Sequence, residues 1–363
     1  MAKRKLIIFG GKLNRTGGIE THLFNFCLYT SDVFDIHFII NSLHFNKEKK
    51  TLLIQRGVNV YELSSEGNIY KRIKSFKLII SLIYKIKGGD DDVVLYTNAF
   101  TSNLIYVIQR TFNFKNWVHH HHSDFSKSLF FSYPYLYKKV FQKARFLILC
   151  TDYQLAQYKK MGFSPTAFFL PYCKKENTDI IKQKEFNGVI CYLGRVLISK
   201  GIDYILNLES SWLLENEIKC YIHGNNELDP GSLYYEKLTK KLPDPFYYFG
   251  EYDAENDIKN ILDDISITII PSVGAEGLPL VFTESISRGV PVIAFDGGGL
   301  RDFETFHDGI IITKPSPDNL KSAILEMKKR ISSNKNLGSD LKKKYFETLD
   351  SQITINWWGS TFN

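Results

Sequence analysis

Disulfide pairing, long apolar runs and internal repeats are all missing from these 363 residues. The five cysteines, Cys27, Cys150, Cys173, Cys191 and Cys220, are odd in number, scattered, and never spaced as Cys-x-x-Cys. That excludes a disulfide scaffold and a cysteine-paired zinc site, and it fits a reducing compartment. No run approaches the roughly 18 apolar residues of a spanning helix. The start, MAKRKLIIFGG, is basic, but its apolar run is only Leu6–Phe9, too short for a secretory signal, so a cytoplasmic protein is expected. Acidic residues are scarce in the first half. Residues 1–175 hold 26 Lys and Arg against 11 Asp and Glu, a net of +15, while the remainder holds 20 against 28, a net of −8. Such asymmetry suggests two domains with different partners, and the length gives the same prior. The basic half suits phosphate groups, nucleic acid or an anionic membrane.

What is present is an alternation of short apolar runs with helical segments. Lys5–Phe9, Ile36–Ile40, Val58–Glu62, Val93–Tyr96, Asn116–Val118 and Phe146–Cys150 read as strands of the first half. Gly188–Leu193, Lys219–His223, Tyr247–Phe249, Ser266–Ile270 and Val290–Phe295 read as strands of the second. This order predicts an α/β fold with parallel sheets flanked by helices. Each strand of the second half exits into small or polar residues, and that edge of the sheet is where a nucleotide is expected.

Several strand exits carry chemistry. The loop Gly10–Glu20 is glycine-rich and opens a helix, so its N–H groups can approach phosphate, although it matches neither a Walker loop nor a clean G-x-G-x-x-G. A plain tight turn fits it equally well. Four histidines, His119–His122, follow a strand ending at Val118. Strand alternation lets at most two of them share an ion, and no Cys/His pair sits nearby in sequence, so a ligand contact is favoured over a metal. Gly194-Arg195 and Lys200-Gly201 bracket a loop at a helix entrance, where two cations suit a diphosphate. Pro271–Arg301 carries Glu276 and Glu284, eight positions apart, around Gly277-Leu278-Pro279-Leu280. Singly, each of these also fits surface charge or a cap.

Two first-half segments join basic and aromatic residues. Lys71–Lys87 carries six basic and no acidic residues on an apolar helix, and Lys127–Arg145 adds five basic residues among six aromatics. A solvated helix face on the sheet and an interfacial helix on anionic lipid both fit the first segment. The pair together favours the membrane. The charge is not interleaved with a nucleic-acid motif, so no nucleic-acid partner is expected.

In this order, Gly17-Gly18-Ile19-Glu20, a histidine after a first-half strand, Gly194-Arg195, Lys200-Gly201, Glu276-Gly277-Leu278-Pro279-Leu280, Glu284 and Gly289-Val290-Pro291-Val292-Ile293 resemble the retaining family 4 glycosyltransferases, the glycosyl transferases group 1, of the bacterial surface-polysaccharide type. The resemblance covers nearly the whole chain. It implies the GT-B fold, two Rossmann-like doubly wound domains facing across a cleft. Residues 1–173 would form the acceptor-side domain, 174–187 a linker, 188–340 the nucleotide-sugar domain, and 341–363 a helix returning to the first domain. The resemblance also implies roles. Arg195 and Lys200 hold the donor diphosphate. Glu276 meets donor-sugar hydroxyls, with N–H groups of Gly277, Leu278 and Leu280 and the residue Pro279 alongside. Glu284 accepts from the ribose diol, and Gly17 and Gly18 approach the diphosphate. His122, or His121, contacts the donor sugar. Two departures stand out. Pro279 replaces a small residue, and His223-Gly224-Asn225-Asn226 replaces Gly-x-Gly. The implied reaction is metal-independent and cofactor-free transfer from a UDP- or GDP-sugar to a saccharide, polyprenyl-linked in surface-polysaccharide assembly. The implied location is the cytoplasmic face of an anionic inner membrane. The alternative is a GT-B-like protein that binds a nucleotide sugar without catalysis.

Overall fold

The computed structural model describes residues 3–10, 18–40, 46–62, 69–98, 102–122, 142–160, 162, 166–174, 185–253, 256–274 and 276–362. The chain divides into two units, Met1–Lys175 with Asp350–Asn363, and Glu176–Leu349.

In unit 1 the elements run β1 (Arg4–Gly10), α1 (Gly18–Thr30), β2 (Phe34–Ile40), α2 (Lys47–Gln55), β3 (Asn59–Glu62), α3 (Ile69–Lys87), β4 (Val94–Thr97), α4 (Ser102–Phe112), β5 (Asn116–His121), β6 (Phe146–Leu149), α5 (Asp152–Lys160) and β7 (Thr166–Phe169). The sheet order is β3-β2-β1-β4-β5-β6-β7, with every pairing parallel. Side chains alternate across it. Leu6 and Ile8 enter one core with Phe26 of α1, while Ile7 and Phe9 enter the opposite core with Ile79, Ile83 and Ile86 of α3. The outer face of α3 leaves Lys77, Leu78, Tyr84 and Lys85 exposed, Tyr84 at 74%. One stripe of the basic helix is therefore core, and the other pairs lysines with bare apolar groups.

Unit 2 runs β8 (Val189–Leu193), a 3-10 turn (Ile198–Lys200), α6 (Ile202–Leu206), α7 (Ser210–Glu215), β9 (Lys219–His223), α8 (Leu233–Thr239), β10 (Phe246–Gly250), α9 (Ile258–Asp264), β11 (Ile267–Ile270), α10 (Leu280–Ser287), β12 (Val292–Phe295), a second 3-10 turn (Gly298–Phe303), β13 (Ile310–Thr313), α11 (Pro317–Ser333) and α12 (Leu337–Thr348). The order β10-β9-β8-β11-β12-β13 is again wholly parallel. Strand order reverses between β8 and β11. A doubly wound sheet opens its ligand crevice at such a point, beyond the carboxyl ends of the strands.

The last helix, α13 (Ser351–Phe362), belongs to unit 1. It buries Ser351, Thr354, Trp358 and Phe362 on one face. Trp358 is fully buried, 5.0 Å from the rings of both Phe26 and Tyr96. Thr354 Oγ1 donates to the Pro171 carbonyl at 2.6 Å, and Lys174 N donates to Ser351 Oγ at 3.1 Å.

Three sequence expectations change. The returning segment starts at Asp350 rather than at 341, because α12 buries Leu337, Leu341 and Tyr345 within unit 2 and packs on α10. Strand β5 does not end at Val118 but continues through His121. Strands β7 and β13, one edge of each sheet, were not foreseen. The loop 11–17, most of the basic-aromatic segment 127–145 and most of the linker 174–187 lie outside the described residues.

Candidate active site

The exits of β8 and β11 in unit 2 bring several polar side chains together. After β8, Gly194 N donates to the His223 carbonyl at 3.1 Å and Val196 N to that of Asn225 at 2.9 Å, joining the loops that follow β8 and β9. Gly224 is required here, since a Cβ on it would stand 1.7 Å from the Gly194 oxygen. The replaced Gly-x-Gly thus keeps the glycine that the backbone needs. Arg195 stands in the first of these loops, between the two bonded residues Gly194 and Val196, with its side chain half exposed and its guanidinium 3.7 Å from Glu227. The 3-10 turn then carries Lys200 to Gly201, which has φ +75°, and a Cβ there would meet the Pro271 oxygen at 1.8 Å. That close approach brings the β8 exit against the β11 exit.

Across it, Lys200 Nζ forms an ion pair with Glu276 Oε1. Ser272 Oγ donates to the same carboxylate oxygen at 2.7 Å. Gly274 N donates to the Ser199 carbonyl at 3.1 Å and closes the frame. The Glu276 backbone is clamped from the other side. Gly299 N donates to its carbonyl at 2.9 Å, and Gly298, at φ +60°, lies so near that a Cβ would fall 2.2 Å from that oxygen. The glycine run after β12 therefore exists to let the Glu276 segment approach. Ser272, which fixes the carboxylate, went unread in the sequence because a serine at a strand exit carries no pattern of its own.

Gly277 and Leu278 are buried, and α10 begins at Leu280. Pro279 stands at its N-cap and offers no capping side chain, so the first-turn N–H groups have none. Glu284 lies in the second turn of α10, partly exposed. Burial, then the Glu284 charge, hold the Tyr252 phenol well above its ordinary range. At the β9 and β10 exits the His223 ring stacks on Phe249 at 4.6 Å and 8°, and burial lowers its pKa against the opposing pull of Asp257.

In unit 1 the histidine tetrad splits by face. His119 bonds Thr97 Oγ1 at 2.7 Å, and Thr97 Oγ1 also accepts Trp117 Nε1–H at 2.9 Å. His121 shares that face and is 97% buried. His120 and His122 point to the opposite face, their rings 4.0 Å apart. The two histidines that the sequence left as alternatives therefore lie on opposite sides of the sheet, with His122 one residue beyond the strand. His120 Nδ1 bonds Tyr96 Oη at 2.9 Å, which bonds His22 Nε2 at 2.8 Å, and His22 Nδ1 accepts Cys173 N–H at 2.8 Å. His122 Nδ1 lies 3.1 Å from Tyr172 Oη. Burial lowers the His22 pKa to about 3 and pushes those of His119, His120 and His122 well down, with neighbouring rings adding to the effect for the last three. All four are neutral at pH 7. Gly18 starts α1, and Gly17 lies outside the described residues.

Two parallel-sheet α/β domains with this polar frame at a switch point define the GT-B architecture. Residues 174–344 match the family model described as Glycosyl transferases group 1. The chain is 25% identical to the uncharacterized glycosyltransferase MJ1069 of Methanocaldococcus jannaschii, over 98% of this chain and 96% of that protein. Among solved structures, sucrose-phosphate synthase of Thermosynechococcus elongatus superposes with a TM-score of 0.76 at 14% identity, covering 99% of this chain and 98% of that one. Anabaena Alr3699/HepE, solved with UDP and glucose, gives 0.73 at 15% identity, covering 99% and 98%. The solved structures share the fold. The family model covers a little under half of the chain, almost all of it in the second unit, and the archaeal relative is similar over nearly its whole length.

Proposed function

We propose that this chain is a retaining glycosyltransferase that moves a sugar from a nucleoside diphosphate to a saccharide. The observation that carries the reading is the Lys200–Glu276–Ser272 frame at the β8/β11 switch point, beside Arg195. Arg195 and Lys200 bind the diphosphate, and Lys200 leaves Glu276 to do so. The released carboxylate, still held by Ser272, accepts from donor-sugar hydroxyls, while Glu284 accepts from the ribose diol, each oxygen taking a hydrogen bond. In the same reading Gly277, Leu278, Pro279 and Leu280, which follow Glu276, face the donor. In unit 1 the same reading assigns His122, Gly17 and Gly18 to the donor.

The chemistry follows from charge. The acceptor hydroxyl attacks the anomeric carbon on the face that the diphosphate leaves. The carbon–oxygen bond to phosphate breaks, and the departing phosphate oxygen takes the acceptor proton. Charge on the leaving group is met by Arg195 and Lys200, and electrostatic help of this kind contributes about 3–4 kcal/mol per well-placed group. Neither cofactor nor metal is assigned to this step. The acceptor is a lipid-linked saccharide of surface-polysaccharide synthesis, met at an anionic membrane by the lysines and bare apolar groups of α3. HepE, solved with UDP and glucose, makes UDP-sugars the first donors to try.

A panel of UDP- and GDP-sugars tests the donor. The matching one raises Tm in wild-type protein, by an amount equivalent to about 2.7 kcal/mol at a hundredfold excess over Kd. A folded protein that no nucleotide sugar stabilises removes this reading.

A further inference from the structure

We propose that His120 Nε2, His122 Nδ1 and Cys150 Sγ form a binding site for one zinc-class cation in unit 1. The three atoms lie within 4.8 Å of one another. Sγ is 3.7 Å from His120 Nε2 and 4.0 Å from His122 Nδ1. These separations are long for bonds to a thiol, a weak partner. They come close to the spacing of about 3.6 Å between sulfur and nitrogen ligands around tetrahedral zinc.

The fold supplies the arrangement. His120 and His122 share a face because they are two apart along β5 and its exit. Cys150 follows β6, whose Leu149 pairs with His121, so the next position stands opposite His122. The missing cysteine partner of the tetrad is thus 28 residues away in sequence and adjacent across the sheet. Tyr172 Oη borders the three atoms, 2.7 Å from Sγ and 3.1 Å from His122 Nδ1. One thiolate with two imidazoles selects zinc or a similarly soft ion over magnesium or calcium.

The surrounding contacts bear on the protons. His22 Nδ1 accepts an N–H, so its Nε2 carries the proton and donates to Tyr96 Oη. Without a cation, Tyr96 donates to His120 Nδ1, and His120 holds its proton on Nε2, towards the thiol. Cation binding releases the Cys150 thiol proton to solvent and moves the His120 proton to Nδ1, where Tyr96 Oη accepts it. One hydroxyl hydrogen bond is lost and three coordinate bonds form. On His122 the cation fixes the remaining proton on Nε2, which has no hydrogen-bond partner among the described residues.

Titration of untagged, chelator-stripped full-length protein with Co2+ tests the site without any donor. The expected result is one equivalent bound, with a thiolate-to-cobalt charge-transfer band that Zn2+ abolishes. Cys150→Ser removes the band with an unchanged circular dichroism spectrum, and Tyr96→Phe weakens binding about tenfold, as for other groups that orient a ligand. Folded wild-type protein without the band overturns the site even where a variant fails to fold. So does Cys150→Ser protein that binds as tightly as wild type. Neither outcome touches nucleotide-sugar binding, which is read separately.

Discussion

Lys200 and Glu276 neutralise each other, and both are only partly exposed. An ion pair at this depth keeps two charges ready without leaving either unpaired, and under the proposed function an incoming diphosphate would compete for the lysine. Arg195 differs, because half of its side chain is in solvent and its contact with Glu227 is long, so it moves to a ligand at little cost. The histidines set a different condition. His22, His119 and His120 are buried and neutral, with folded pKa values below the ~6.5 of an unfolded chain. A depressed histidine pKa means that the unfolded state binds the extra proton. Stability is therefore whole above pH ~6.5. It falls as pH drops below that value, by about 1.4 kcal/mol per pH unit for each ring, until the folded pKa is reached. Urea midpoints measured between pH 7.5 and 5.5 should fall steeply, and a flat profile would show that these rings are not held neutral.

At the scale of elements, the site depends on close backbone approaches that only glycine permits. Gly201→Ala would place a methyl against the Pro271 oxygen at a positive φ. The expected loss is about 2 kcal/mol or more of stability, read by denaturant melts, with weaker donor binding because Lys200 is the preceding residue. Much of this was legible in the sequence. Lys200-Gly201 at a loop and Glu276 before Gly277-Leu278-Pro279-Leu280 stood out, and the parallel alternation followed from short apolar runs. What stayed hidden was non-local. Thr166–Phe169 and Ile310–Thr313 are edge strands, mostly half-buried, unlike the fully buried central strands. The split of the tetrad needed the true end of β5, and Cys150 beside His122 needed the register of β6. The crossing at Asp350 was missed because α12 and α13 are both amphipathic, and only packing shows which unit each serves.

For the whole molecule, the charge asymmetry coincides with the division into units. The acidic remainder carries the proposed donor site, and the basic half carries α3. Among the described residues no helix is long and apolar enough to cross a membrane. The proposed contact with anionic lipid would be electrostatic, with shallow insertion at Leu78 and Tyr84. Flotation with phosphatidylserine-containing vesicles should retain the protein at low salt and lose it near ~1 M, where the Debye length is about 3 Å. Equal behaviour with neutral vesicles would remove the membrane part. The central claim is sugar transfer through the Glu276 frame. Its most direct test is incorporation of labelled sugar into a bacterial lipid-linked saccharide extract, from the nucleotide sugar that stabilises the fold. Wild-type protein is predicted to release nucleoside diphosphate and label the extract, and folded Glu276→Ala protein to do so at least ~100-fold more slowly. Full transfer by that variant, or donor binding without any transfer by wild type, would contradict the account.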